Sequence, residues 1–288
     1  MSYTFAKHET FHIRTGWLRK GLKAIEKNDH IFLEKINAMD ELGIGKNMVS
    51  SLRYWLTVTG LTKESYKKGQ KVQSKTELAN LILKYDKYFE DPATFWLLHY
   101  NLAQEKEDAT TWYWFYNFFN YQEFDEELFL NELNKYIKRT GGKEKADSSL
   151  RKDFRVLTNM YLFDSTENKK PDDSMESPFS ELKLIIKPNK NYYKINKATM
   201  NSLPPKILYF CLLDNNVNKE NLNVENVLDE INSIGKIFKL NLTNLYNYLE
   251  KLSELNYIKL EKYAGMNSIK LLKKDKENIL KNYYNSKG

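Results

Sequence analysis

The residues best placed by type and spacing to do chemistry lie near the start of the chain, at His8-Glu9-Thr10-Phe11-His12. On a helix this H-E-x-x-H pattern would put both imidazoles on one face as zinc ligands, with Glu9 as the general base of a hydrolase. The surroundings argue against it. Thr10 and Phe11 are weak helix formers, Gly16 lies one turn beyond His12, and Glu34, a third ligand by spacing, follows a break at Asn28-Asp29. No metal is therefore expected. A second chemical signature, Gly43-Ile44-Gly45-Lys46-Asn47, lacks the spacing and the preceding strand of a nucleotide-binding loop. A glycine turn feeding a helix can still seat one phosphate on the helix N-terminus, with Lys46 in support, although an ordinary helical turn explains it equally well.

Other reactive types are dispersed. The acidic residues of the middle (Asp86, Glu90, Asp91, Asp108, Asp147, Asp153, Asp172, Asp173 and Glu176) fall on helices and loops, without the strand pattern that brings nuclease carboxylates together. The single cysteine, Cys211, sits in the apolar run ILYFCLL and reads as a buried thiol, and one cysteine excludes a disulfide framework. Neither catalytic residues nor a cofactor are expected. No run approaches the ~18 apolar residues of a membrane span, and MSYTFAKHETF lacks a signal peptide's apolar core. A cytoplasmic protein is expected.

Charge is the stronger signal. Residues 1–75 carry 14 Lys/Arg against 7 Asp/Glu, residues 76–178 carry 13 against 20, and residues 179–288 carry 18 against 11. The net +7 thus hides two basic ends around an acidic middle. Lysine outnumbers arginine 39 to 6, as an AT-rich genome would produce, but codon bias does not explain the segregation. All six arginines precede residue 156, and a retained arginine suits a site needing a planar, bidentate donor.

Elements able to present these charges can be read from periodicity. Trp17, Leu18, Leu22 and Ile25 form the stripe of a first helix, and His30–Asn37 reads as a second with Ile31, Phe32, Leu33 and Ile36. The turn at Gly43–Gly45 leads into a helix over about 46–59 whose stripe is Val49, Leu52 and Leu56, leaving Asn47, Ser50, Ser51, Arg53 and Tyr54 outward. This is a helix-turn-helix pattern, and Thr62–Lys75 follows as a loop or wing. The middle contains amphipathic helices and the aromatic pair ATFWLLHYNLA and ATTWYWFYNFFN, read as core or subunit interface. The polar loop ENKKPDDSMESP is the best domain boundary. ELKLIIK and NYYKINK then read as strands. KILYFCLLDN, NVENVLDEINSI (Val224, Val227, Leu228 and Ile231 inward) and LNLTNLYNYLEKLSELN (Leu245, Leu249, Leu252 and Leu255 inward) read as helices before a hairpin around Ala264–Asn267. Three helices and a hairpin is the winged-helix order.

The segments HETFHIRTGWLRKGL, LGIGKNMVSSLRYWLTVTGL, DPATFWLLHYNLA, ATTWYWFYNFFN and DDSMESPFSELKLI resemble, in order and over nearly the whole chain, the bacterial domain-of-unknown-function family numbered 4007. Its glycine-and-lysine turn falls on Gly43, Gly45, Lys46 and Asn47, its Arg-Tyr-Trp on Arg53-Tyr54-Trp55, and its H-E-T-F element on His8–Phe11. The second histidine is not part of that element, so His12 completes the zinc pattern by accident. The resemblance implies a role beside DNA phosphorothioation and anti-phage defence genes, and it supplies no catalytic residues.

The expectation is a mainly α protein with winged-helix-like modules at both ends of a helical middle and small β-hairpin wings. Its domains would be 1–75, an acidic and aromatic 76–178, and 179–288. Its function would be that of a DNA-binding accessory or targeting subunit of a phosphorothioation-type system. Double-stranded DNA and other subunits of the complex are the expected partners, and a second copy of the chain is a further candidate. The candidate contacts are Arg14, Arg19, Lys46, Asn47, Ser50, Ser51 and Arg53 at one end. At the other they are Asn241, Thr243, Asn244, Tyr246, Asn247 and Lys251, with wing residues Lys259, Lys262, Asn267 and Lys270. Asparagines would read adenine edges and lysines would hold phosphates. The alternatives are a protein-interaction scaffold of the same system and a metal-dependent nuclease.

Overall fold

In the computed structural model, the helix expected after the glycine turn runs from Lys46 to Val58. Residues 3–143, 145–163, 176–263 and 266–286 are described. They are about half helical with small sheets, a mainly α fold with some β. Among them, no helix is long and apolar enough to cross a membrane. The chain divides into two compact units, Met1–Phe115 with Phe119–Ile195, and Tyr116–Phe118 with Asn196–Gly288.

The first unit opens with an irregular segment and then α1 (Trp17–Lys27), α2 (Lys35–Leu42) and α3 (Lys46–Val58). Burial of Trp17, Leu18, Leu22 and Ile25 on α1, and of Val49, Leu52 and Leu56 on α3, follows the expected stripes. Gly43 ends α2 at φ +59, the left-handed conformation that a side chain disfavours, so the chain can turn sharply into α3. The helix expected over His30–Asn37 does not form there. Asn28 Oδ1 accepts from the His30 amide at 2.9 Å, closing a turn instead, and α2 starts at Lys35 with Ile36 76% exposed. Residues Thr62–Lys67 (β1) and Gln70–Lys75 (β2) pair antiparallel through a two-residue turn, Lys68-Gly69.

The unit continues through α4 (Glu77–Tyr85), α5 (Pro92–Gln104) and α6 (Thr110–Asn117), whose last residues pass into the second unit. Thr76 and Asp91 cap α4 and α5. The aromatic pair is core as expected, with Trp96, Tyr100, Trp112, Phe115 and Tyr116 buried. β3 (Glu123–Phe124), α7 (Glu126–Arg139), α8 (Asp147–Tyr161) and β4 (Leu162–Phe163) follow, then a 3₁₀ turn at Pro178–Leu182, β5 (Ile185–Ile186) and β6 (Tyr193–Ile195). The sheet order is β3-β6-β5-β4. The two strands expected after residue 179 therefore exist, but they pair with the middle of the chain. Apart from Tyr116–Phe118, this places 1–75, 76–178 and the start of the expected C-terminal domain in one unit, with the later boundary at 195/196. Asp172 and Asp173 lie outside the described residues.

The second unit contains α9 (Pro205–Asn215), β7 (Asn221–Asn223), α10 (Val224–Asp229), α11 (Ile234–Ile237), α12 (Leu242–Glu254), β8 (Ile258–Tyr263), β9 (Met266–Leu271) and α13 (Lys276–Asn285), with sheet order β7-β9-β8. Leu245, Leu249 and Leu252 are buried, joined by Tyr248, whose hydroxyl donates to the Leu203 carbonyl. Leu255 forms the C-cap and is exposed, and Ile231 is exposed because α10 stops at Asp229. Cys211 is buried, and burial raises its thiol pKa well above the usual range.

Candidate nucleic-acid interface

The first chemical signature resolves into structure. Residues 7–10 form turns, with Glu9 and Thr10 at φ +50 and +69, so the two histidines do not share a helical face. His8 is fully buried, its ring stacked on Trp55 at 6.0 Å and set edgewise against Trp112. Its Nδ1 accepts from the Thr10 amide (3.2 Å), which leaves Nε2 to donate to Asp153 Oδ1 at 2.9 Å. Asp153, 1% exposed, also accepts from the Ala6 amide (2.7 Å) and the Thr111 hydroxyl (2.5 Å). This network ties the N-terminal segment to α6 and α8. Among the described residues, no group of three His, Cys, Asp or Glu could hold a metal ion.

The structure corrects one candidate contact, Ser51, and the outward placement of Tyr54. The Phe11 carbonyl accepts from Trp55 Nε1 (2.9 Å) and Ser51 Oγ (3.3 Å), so Ser51 is buried where an outward position was expected. Tyr54, also expected outward, is only partly exposed, and its hydroxyl donates to the Asp108 carbonyl at 3.0 Å. Burial, ahead of the nearby carboxylates, raises the Tyr54 pKa well above its ordinary value. α3 is thus covered on a second side by chain from positions 8–11.

The rest of α3 remains available in part. Lys46 and Asn47 are exposed at its N-terminus, and Ser50 is half-buried with its hydroxyl on the Lys46 carbonyl. Arg53 is held by the hairpin: its Nε donates to Glu64 Oε1 at 2.7 Å, and Lys71 contacts the other oxygen of the same carboxylate. It is not the unencumbered fork expected. Burial pushes the Glu64 carboxyl up, but hydrogen bonds from Arg53 and Lys71 outweigh it and hold the group below the usual range. Arg14 and Arg19 are half-buried beside aromatics, Arg14 over Phe11 and Trp17 and Arg19 over Tyr88 at 4.2 Å.

The C-terminal candidates form a more open surface. Thr243, Asn247 and Lys251, each four residues apart, are exposed along one face of α12. The Asn241 side chain caps the helix by accepting from the Asn244 amide at 2.8 Å, so its carbonyl oxygen is committed to structure. Asn267 on β9 donates to the Tyr246 hydroxyl, joining hairpin and helix, and Tyr246 is half-buried outside the core. Lys259 and Lys270 sit directly opposite one another on β8 and β9, with Lys259 paired to Glu261 at 2.9 Å. Lys251 contacts Glu254. The side chain of Lys262 lies outside the described ones.

A family model described as "Protein of unknown function (DUF4007)" matches residues 5–284. The chain belongs to the DUF4007 family. Two solved structures share its fold: "SspB crystal structure" and "Magnesium ion-bound SspB crystal structure". Each is 25% identical, with TM-score 0.86, and the match covers 98% of this chain and 88% of the other. No curated protein matches. The sequence already carried the family through its H-E-T-F, glycine-lysine and Arg-Tyr-Trp elements. In this member of the DUF4007 family the H-E-T-F and Arg-Tyr-Trp elements meet through Trp55, which stacks on His8 and donates to the Phe11 carbonyl.

Proposed function

We propose that this protein is a DNA-binding accessory or targeting subunit of a phosphorothioation-type modification or restriction system. In this reading α1–α3 with β1–β2 and α9–α12 with β8–β9 act as winged-helix modules. The observation that carries it is the outward face of the second unit, where Thr243, Asn247 and Lys251 line one side of α12. On the hairpin, Lys259 and Lys270 sit directly opposite one another and add two further ammonium groups. Like charges directly opposite on a sheet repel, and a phosphate between them relieves the repulsion. The polar stripe suits groove contacts, in which lysines hold the backbone and amide side chains meet base edges. The expected partners are double-stranded DNA and other subunits of the system, with the protein acting in the cytoplasm; the defence setting rests on the family resemblance.

The test is affinity for short duplexes with and without phosphorothioate linkages across a salt series. A K251Q/K259Q/K270Q variant should flatten the slope of log affinity against log salt by about one for each phosphate it no longer neutralises. An unchanged slope would remove the α12 face from the interface. Binding of partner proteins without any salt-dependent DNA binding would support a scaffold instead. A second reading, a metal-dependent nuclease, is favoured by the magnesium-bound state of one related structure. Magnesium-dependent nicking of plasmid by purified protein would establish it.

A further inference from the structure

One cleft in the first unit runs along α3. It opens between α3 and the β1–β2 hairpin and has a volume of about 320 Å³. Its lining comes from five parts of the unit: Lys7, Phe32, one side of α3 between Val49 and Val58, the hairpin's Glu64 and Lys71, and Asp108. Phe32, Val49 and Val58 are buried and give it an apolar floor. Ser50, Tyr54 and Thr57 supply polar groups on one wall. The rim is ionic, with Lys7 on Asp108 at 2.6 Å on one side and Arg53 and Lys71 sharing Glu64 on the other. Three cations therefore face two carboxylates, and the surplus positive charge sits at the Arg53–Glu64–Lys71 triad. Arg53 engages Glu64 through Nε, and among the described residues its Nη groups meet no acceptor.

The geometry points to a site for a single nucleotide, with the base on the apolar floor and the phosphate at Arg53 and Lys71, where Glu64 now stands in for it. The volume is at the small end of ligand pockets, which suits one nucleotide rather than a longer segment. A planar guanidinium beside an ammonium is the donor set that phosphate oxygens match. A carboxylate bound to both keeps the clamp assembled while the cleft is empty. The nucleotide can belong to a DNA strand, in which case this deepens the DNA-binding reading and rests on it, or it can be free in solution. A base in a strand must leave its stack to enter, at a cost of a few kcal/mol that is least in single strands.

The test uses the full chain and two probes: fluorescence anisotropy with a short labelled oligothymidylate, and calorimetric titration with thymidine monophosphate. Arg53→Gln and Lys71→Gln should each weaken binding about tenfold, as expected when one charge-assisted hydrogen bond is removed. Ser50→Phe, which fills the cleft without changing its charge, should weaken both probes about as much. Glu64→Gln is the discriminating variant. A carboxylate that competes with phosphate predicts about three- to tenfold tighter binding on its removal, whereas a merely structural carboxylate predicts weaker or equal binding. Thermal melting of each variant identifies any that fail to fold, and Ser50→Phe and Glu64→Gln then test the same cleft by opposite signs.

Oligothymidylate affinity that rises with Glu64→Gln and falls with Ser50→Phe supports a strand nucleotide. The same pattern with the monophosphate alone supports a site for a free nucleotide and overturns a strand nucleotide there, leaving the DNA reading to the duplex test. Indifference of both probes to all the cleft variants overturns this inference, and the DNA reading then stands or falls on whether duplex binding depends on Lys251, Lys259 and Lys270.

Discussion

Replacing Asp153 with alanine tests whether the histidine motif is structural. Asp153 accepts hydrogen bonds from the Ala6 amide, His8 Nε2 and Thr111 Oγ1, all within 2.9 Å, and is 1% exposed. Alanine leaves two buried donors and one part-buried amide unpaired, the buried ones each costing about 1–3 kcal/mol, and partial relaxation makes the sum less than additive. A loss of about 3–5 kcal/mol is expected, in the range measured when one partner of a buried polar pair is removed. With a urea m-value of about 1–3 kcal/mol/M, the midpoint falls by roughly 1–5 M. Two units need not unfold together, so the assay must report on the first alone. Tryptophan fluorescence does this, because all five tryptophans (Trp17, Trp55, Trp96, Trp112 and Trp114) lie in that unit, and Trp55 stacks on His8 itself. Thr111→Val, which removes one of the three bonds, should cost about 1 kcal/mol. If Asp153→Ala shifts the midpoint no more than Thr111→Val does, the network does not anchor the N-terminal segment and the structural reading of His8 is wrong.

Two further predictions concern the second unit. Lys239 is half-buried, and burial, with a lesser contribution from Lys236, lowers its pKa to about 7. Its ammonium is within 3.1 Å of the Tyr116 carbonyl, which belongs to the same unit. The unfolded chain holds this proton more tightly than the folded one, so the penalty is complete below pH about 7 and shrinks as pH rises toward the unfolded value. Lys239→Met should therefore stabilise the unit by about 2–3 kcal/mol at pH 6 and by less at pH 9. Calorimetry of the transition without a tryptophan signal checks this, and an equal gain at both pH values would refute it. Gly235→Ala should destabilise the same transition by about 2–4 kcal/mol, since the new Cβ would meet the Leu228 carbonyl oxygen at 2.2 Å, and backbone cannot swing aside as a side chain can. A melting temperature within a degree of the parent would show that α10 and α11 separate easily.

Much of the scaffold was legible in the chain because it depends on local periodicity. The apolar stripes of α1, α3 and α12, the aromatic core of α5 and α6 and the buried Cys211 all follow from side chains that must leave water. The charge blocks, the glycine turn and the family are linear properties and needed no fold. Ser51 and Tyr54 show where such reasoning ends. A helix packed on two sides has a second buried face, and its owner here is the Phe11 carbonyl and the loop at Asp108, 40 and 54 residues away. The capture of Arg53 by Glu64 required the register of a hairpin that was read only as a loop or wing. The pairing of β5 and β6 with β3 and β4 moved the domain boundary, because strand partners are chosen by the whole sheet. The chain alone determined which residues would be apolar, basic or turning. Tertiary structure decided which polar groups met one another, since hydrogen bonds and ion pairs between distant segments exist only after the core has brought them together.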